Sequence, residues 1–144
     1  MKKTLIYLIF LFIIIIISLY FLKIITERDI RNLSKYNYEY EKYLNRTIYG
    51  AELATLINKT VDLNEKNKIE KDEQKHFIDN KENSIKIDIK ILLTKKTYPM
   101  EEFYNNDTAQ FVEFFDLEQF KCVNIEYHKK TNKVSKLVFE QIEK

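Results

Sequence analysis

From Thr4 to Leu22 the chain is apolar except for Thr4, Ser18 and the tyrosines Tyr7 and Tyr20, and Lys3 and Lys23 bound this run on either side. A helix over residues 4–22, rising about 1.5 Å per residue, reaches roughly 28 Å, close to the roughly 30 Å hydrocarbon core of a bilayer. Ile13 to Ile17 are poor helix formers in water because β-branched side chains lose rotamer freedom. A lipid environment overrides that preference, since every backbone N–H and C=O must be satisfied within the segment. Tyr7 and Tyr20 fall near its two ends, where interfacial aromatics concentrate. After Ser18 the chain continues Leu-Tyr-Phe-Leu-Lys-Ile-Ile, without the small residues of a peptidase site, so an uncleaved anchor is expected over a signal peptide.

Beyond Lys23 the helical pattern continues, with Ile30, Leu33, Tyr36, Tyr40 and Leu44 at spacings of three and four. This predicts a juxtamembrane stalk over 23–47 whose tyrosines, Tyr36, Tyr38, Tyr40 and Tyr43, serve packing rather than recognition. Gly50 is expected to break the stalk from a second amphipathic helix carrying Leu53, Leu56, Ile57 and Val61, by supplying a backbone conformation that other residues resist. Residues 64–83 are polar, with Ile69, Phe77 and Ile78 to bury, and read as a loop or edge hairpin turning at Asn80 to Asn83. The period then changes to two. Ile85, Ile87, Ile89, Ile91 and Leu93 alternate with Lys86, Asp88 and Lys90, the pattern of a strand with one buried face.

Pro99 suits the first turn of a short helix through Tyr104, and Asp107 with Gln110 three residues on resembles a capping box opening a helix through Phe115. Phe111, Val112, Phe114 and Phe115 are expected to pack on the sheet. Phe120 to Tyr127, a polar turn at Lys129 to Lys133, and Val134 to Ile142 read as a hairpin. The expected fold is α+β: two or more helices on an antiparallel sheet of about three to four strands. The expected organisation is a basic tail over 1–3, a transmembrane helix over 4–22, a stalk over 23–47 and a small domain over 48–144.

Charge refines this picture. The chain holds 24 Lys and Arg against 22 Asp and Glu, and setting aside Lys2 and Lys3 balances the two. No nucleic-acid partner is expected, because such a partner calls for a net basic face. The short basic N-tail before a long C-terminal domain favours a cytoplasmic N-terminus with the domain outside the cell membrane, although Lys23, Arg28, Arg31 and Lys35 weigh on the other flank. Lys, Asn, Ile, Tyr and Phe are abundant, which reflects codon bias, so the Asn-x-Ser/Thr triplets at Asn32, Asn45, Asn58 and Asn106 are discounted. Cys122 is the only cysteine and forms no intrachain disulfide.

Little here carries chemistry. One glycine is too few for a phosphate loop or a dinucleotide fingerprint. His76, Cys122 and His128 lack the clustering of a zinc site. Cys122 and His128, six residues apart on one strand, are separated by about 20 Å, too far for a nucleophile and its base, so the expectation is a buried Cys122 and a solvated His128. The stretch from Asp62 to Glu73 matches a calcium loop at its first, third, eighth and twelfth positions, Asp62, Asn64, Ile69 and Glu73. It fails at Lys66, which places a cation in the fifth position, and at Asn67, where the sharp turn needs glycine. We therefore read Asp62, Asn64 and Glu73 as parts of a solvated loop, and expect no metal, cofactor or catalytic residues.

The stretch Gly50-Ala-Glu-Leu-Ala-Thr-Leu-Ile-Asn-Lys-Thr-Val-Asp-Leu-Asn64, the strand from Phe120 to His128 and the ending Phe139-Glu-Gln-Ile142 resemble uncharacterised single-pass membrane proteins of AT-rich Gram-positive bacteria. That resemblance implies a membrane anchor and no known activity. The order of membrane helix, stalk, helix and sheet also resembles the layout of type IV pilins and pseudopilins. The chain lacks their glycine before a processing site and their glutamate in the apolar helix. Three function classes follow. The first is a noncatalytic anchored domain that binds or assembles with another envelope protein, with the bilayer as its other partner through residues 4–22. The second is a pseudopilin-like subunit of a secretion or pilus machine, and the third an enzyme or metal-dependent sensor with a scattered site.

Overall fold

The computed structural model describes residues 2–105 and 108–143. Its elements are α1 (Lys2–Glu41), β1 (Thr47–Tyr49), α2 (Gly50–Lys66), β2 (Lys86–Lys90), β3 (Thr97–Pro99), α3 (Met100–Asn105), α4 (Thr108–Phe115), β4 (Gln119–Tyr127) and β5 (Val134–Ile142). The chain divides into two units, one ending at Tyr36 and one starting at Asn37.

The first unit is the greater part of α1, a helix long and apolar enough to cross a membrane. Its apolar side chains point outward all round, from Leu5 at 59% exposed through Ile15 at 47% to Leu22 at 59%. A helix apolar on every side fits lipid surroundings rather than one buried stripe. Two of its hydroxyls bond within the helix: Ser18 Oγ donates to the Ile14 carbonyl and Thr26 Oγ1 to that of Leu22, both at 2.9 Å.

The second unit is an α+β domain built on a five-stranded sheet in the order β1-β4-β5-β2-β3. The expected hairpin is present as β4 and β5, joined by the turn after His128, with bulge-like register shifts between Cys122 and Asn124 and between Glu126 and Tyr127. The expected strand is present as β2, and Ile85, Ile87, Ile89 and Ile91 are buried. Two features of the sheet differ from expectation. It has five strands, because the short β1 and β3 join its edges, and it is mixed, because β2 lies parallel to β5 with Ile87 opposite Leu137 and Ile89 opposite Phe139. A parallel neighbour needs a long crossover, and everything from β3 to β4 intervenes in the chain. Pro99 ends edge strand β3, and the expected short helix opens one residue later as α3.

Apolar side chains of α2 and the sheet form the core, with Leu53, Ile57, Val61, Phe120, Leu137 and Phe139 all fully buried. The last turn of α1 belongs to this domain. Tyr40 and Tyr43 are buried, Tyr43 lying edge-on to Phe139 at 6.3 Å, while Tyr38 is 65% exposed. Asn37 is fixed to the β5 entrance by accepting from the Val134 N–H at 3.0 Å and donating to the Asn132 carbonyl at 2.8 Å. Across β2 and β5, ion pairs Lys136–Asp88 and Lys90–Glu140 link polar side chains at 2.9 and 3.0 Å.

Gly50 opens α2, and its φ is not positive, so conformational freedom is not its role. A Cβ there would stand 1.9 Å from the Phe115 carbonyl oxygen. The residue is required because the turn after α4 sits directly on the α2 N-terminus. Gly50 N–H donates to the Glu118 carbonyl at 2.9 Å and Ala51 N–H to that of Asp116 at 3.4 Å, satisfying helix donors for which no side-chain cap is present.

The loop between α2 and β2 is irregular, pinned by a bridge between Lys71 and Phe77, with Ile69 and Phe77 buried and Ile78 44% exposed. Its turn lies where expected: Asn80 Oδ1 accepts from the backbone N–H groups of Glu82, Asn83 and Ser84 at 3.0 to 3.1 Å. Asp107, the expected cap of α4, lies outside the described residues.

Candidate functional site

The polar residues singled out from the sequence are occupied by structural work. Asp62 and Asn64 lie within α2, which runs on through Lys66 where a calcium loop would have to turn. Asp62 is exposed and Glu73 is exposed in the following loop. Asn64, by contrast, is fully buried, a correction to the solvated loop expected there. Its Nδ2 donates to the Ile85 carbonyl at 2.7 Å and its Oδ1 accepts from the Ile85 N–H at 2.9 Å. Both sides of the amide are consumed in docking α2 onto the start of β2, leaving nothing to offer a cation.

His128 is also buried, with its side chain 2% exposed, where a solvated ring was expected. The reason is a contact remote in sequence. The loop from Asp79 to Ser84 folds over the hairpin turn, and His128 Nε2 donates to the Ser84 carbonyl at 2.7 Å, since a carbonyl can only accept. Asp79 Oδ1 stands 3.6 Å from Nδ1. Asp79, Ser84 and His128 are residue types of a nucleophilic relay, but their connections are wrong for one. The Ser84 hydroxyl donates to Asp79 at 2.9 Å, and the imidazole meets the Ser84 backbone instead of its hydroxyl. Burial acts to raise the Asp79 pKa, and the Lys81 N–H, the Ser84 hydroxyl and His128 outweigh it, so the carboxyl is held below its ordinary range. Lys130 paired with Glu82, and Thr131 Oγ1 donating to the Glu82 carbonyl at 2.7 Å, complete a clasp between loop and hairpin.

Cys122 is fully buried, as expected, and burial pushes its thiol up to about 11, which leaves little thiolate at neutral pH. Among the described residues, no group of three or more His, Cys, Asp and Glu side chains is placed to hold a metal ion. Glu101, buried on α3, accepts from the Phe77 N–H at 3.0 Å and so anchors the α2–β2 loop.

Beside the clasp lies a polar depression of ≈ 520 Å³ that includes Asp79, Lys81, Tyr127, His128, Lys130 and Ser135. The other surface of note is apolar. Phe103, Phe111, Phe115 and Phe120 form a chain of ring contacts with centroids 4.8 to 6.1 Å apart, which seats α3 and α4 on the sheet. Phe114 does not join it and is 72% exposed, contrary to its expected place against the sheet. Leu93 is 93% exposed, again contrary to expectation, because β2 ends at Lys90 and the turn held by Ile91 and Lys95 carries it outward. Leu117, in the turn after α4, is 67% exposed.

Phe114 and Leu93 share one surface. Phe114 lines two shallow depressions, one of ≈ 250 Å³ that includes Tyr98, Phe103 and Gln110, and one of ≈ 480 Å³ that includes Leu92, Leu93, Glu118 and Glu143. The surface lies at the end of the sheet where β5 finishes. The Asn37 contact lies at the other end, beside Val134, a separation of roughly 26 Å along β5 at 3.3 Å per residue.

The charges along α3, α4 and the turn after them have one sign, while Lys95 and Lys96 follow Leu93 on its turn. Between Lys96 and Lys121 the sequence contains no Lys or Arg and carries Glu101, Glu102, Asp107, Glu113, Asp116 and Glu118. Whole-domain neutrality conceals this window, which a local charge count would have exposed. Comparison of the chain with family models, with curated proteins and with solved structures returned no match.

Proposed function

We propose that this chain is a membrane-anchored, noncatalytic domain that binds or assembles with another cell-envelope protein, held in the bilayer through residues 4–22 with its N-terminus cytoplasmic and its domain outside. The exposed surface around Phe114 carries this reading: the domain leaves large apolar side chains in water there while its buried polar groups serve the fold.

The test is affinity isolation of the full-length protein from mildly solubilised membranes, comparing the natural sequence with a Phe114→Ser/Leu93→Ser variant. We expect one envelope protein to accompany the former and to be lost with the latter. Equal recovery with both, or no companion with either, refutes the reading.

The pseudopilin-like alternative draws on α1, whose single helix of 40 residues is apolar in its first half and ends inside the sheet domain. It requires N-terminal processing and polymerisation through that helix. A mature N-terminal peptide still carrying Lys2 and Lys3 rules it out.

A further inference from the structure

We infer that the Phe114 surface receives a cationic amphipathic segment of another envelope protein, with apolar side chains seated in the two depressions that Phe114 lines and Lys or Arg facing the carboxylates around it. The inference deepens the proposed function and rests on it. Charge complementarity selects the partner. Glu113 and Asp116 flank Phe114 in sequence and are exposed, Glu143 lines the larger depression and is exposed, and among the described residues no Lys or Arg pairs with any of the three. Some acidic side chains elsewhere in the domain do find cations, as Glu39 does with Lys59 at 2.7 Å and Asp88 with Lys136 at 2.9 Å. Carboxylates left unpaired around an apolar patch repel an acidic partner and steer a basic one into register.

The geometry also limits the shape of the occupant. The two depressions share Phe114 and Phe115 as lining residues, so a segment presenting apolar residues at i and i+3 or i+4 seats one anchor in each. A flat sheet edge is a poor alternative, since β3 is three residues long and ends in Pro99.

The experiment places a photoreactive phenylalanine analogue at position 114 of the full-length protein in its native membranes and maps the crosslinked residues by mass spectrometry. We expect adducts on a segment of another protein in which Lys or Arg flanks the modified apolar residue. In isolated membranes the yield should fall as salt is raised, and Glu113→Lys/Asp116→Lys should lower it roughly tenfold, because two attractive contacts become repulsive. Glu70→Lys/Glu73→Lys, exposed on the α2–β2 loop and lining neither depression, should leave it unchanged. Adducts on a neutral or acidic segment, on lipid acyl chains or on a second copy of this chain overturn the inference, as does a yield indifferent to charge reversal at 113 and 116. Such results leave the proposed function standing if affinity isolation still recovers a companion. Absence of any adduct together with absence of a companion removes both.

Discussion

Replacing Asn64 by alanine should cost this domain a large share of its stability, and the structure says how much. Asn64 and Ile85 are both fully buried, and the Asn64 amide satisfies both the N–H and the C=O of Ile85, at 2.9 and 2.7 Å. Truncation orphans two backbone groups at about 1–3 kcal/mol each, giving a loss of roughly 2–5 kcal/mol once partial relaxation is allowed. Against a typical total of about 5–15 kcal/mol that is severe. At about 4 °C per kcal/mol for a domain of this size, the melting midpoint should fall by roughly 8–20 °C. Near-ultraviolet circular dichroism of the full-length protein in micelles reads this out, because it follows the packed tyrosines and not the persistent signal of α1. Asp62→Ala, exposed on the same helix, is the control and should change stability by no more than about 0.5 kcal/mol. Asn64→Asp adds a sign test. A buried carboxylate keeps the acceptor for Ile85 N–H but faces the Ile85 carbonyl, so burial raises its pKa, and stability should be greatest at low pH and be lost as pH rises through that value. A midpoint for Asn64→Ala no lower than that of Asp62→Ala refutes the reasoning.

Gly50→Ala should lower the midpoint by roughly 4–12 °C, because overpacking of about 1–3 kcal/mol at the Phe115 carbonyl outweighs any gain in helix propensity; an unchanged or higher midpoint contradicts the close approach. Cys122, with its thiol pushed up to about 11 from 9.0, should alkylate about a hundredfold more slowly at neutral pH than an ordinary cysteine until the protein is denatured; fast labelling of the folded protein contradicts its burial. The lowered pKa of Asp79 means that its contribution is complete above the ordinary 3.8 and is lost as pH falls below that value. Midpoints followed down a pH series should therefore drop more shallowly in Asp79→Asn than in the natural sequence, and parallel curves contradict the clasp at His128.

Where local periodicity governs, the fold was legible. The isoleucines of β2 and the β4–β5 hairpin follow from a period of two, and the long apolar helix from uninterrupted hydrophobicity. Pairings between distant segments were not. β3 is three residues long and exists through its register with β2, and the parallel placement of β2 beside β5 depends on the crossover between them. His128 sits among polar residues in sequence and is buried by a loop more than forty residues earlier. Asn64 left a readable trace, since it continues the stripe of Leu53, Ile57 and Val61 and so falls on the inner face of α2. Phe111, Phe114 and Phe115 occupy about 100° of one helix face, and seating the edge shared by Phe111 and Phe115 leaves Phe114 at the rim. Leu93 keeps the parity of Ile91 only while the strand lasts, and β2 ends at Lys90. The exposed apolar surface was thus invisible to pattern alone, which records apolar residues without saying which of them find partners inside the chain.

The central claim, an anchored domain outside the cell membrane whose Phe114 surface is covered by another protein, can be tested by cysteine accessibility at that surface. Leu93→Cys is placed at its most exposed side chain, and Lys59→Cys on the exposed face of α2 is the control, with buried Cys122 giving little background. Labelling with a membrane-impermeant maleimide in intact cells, and again after purification, should show the control reacting equally in both settings. Leu93→Cys should react roughly tenfold more slowly in cells than when pure, as expected of a residue excluded from water at an interface. Equal labelling of Leu93→Cys in cells and after purification, or no labelling of the control in intact cells, contradicts the account.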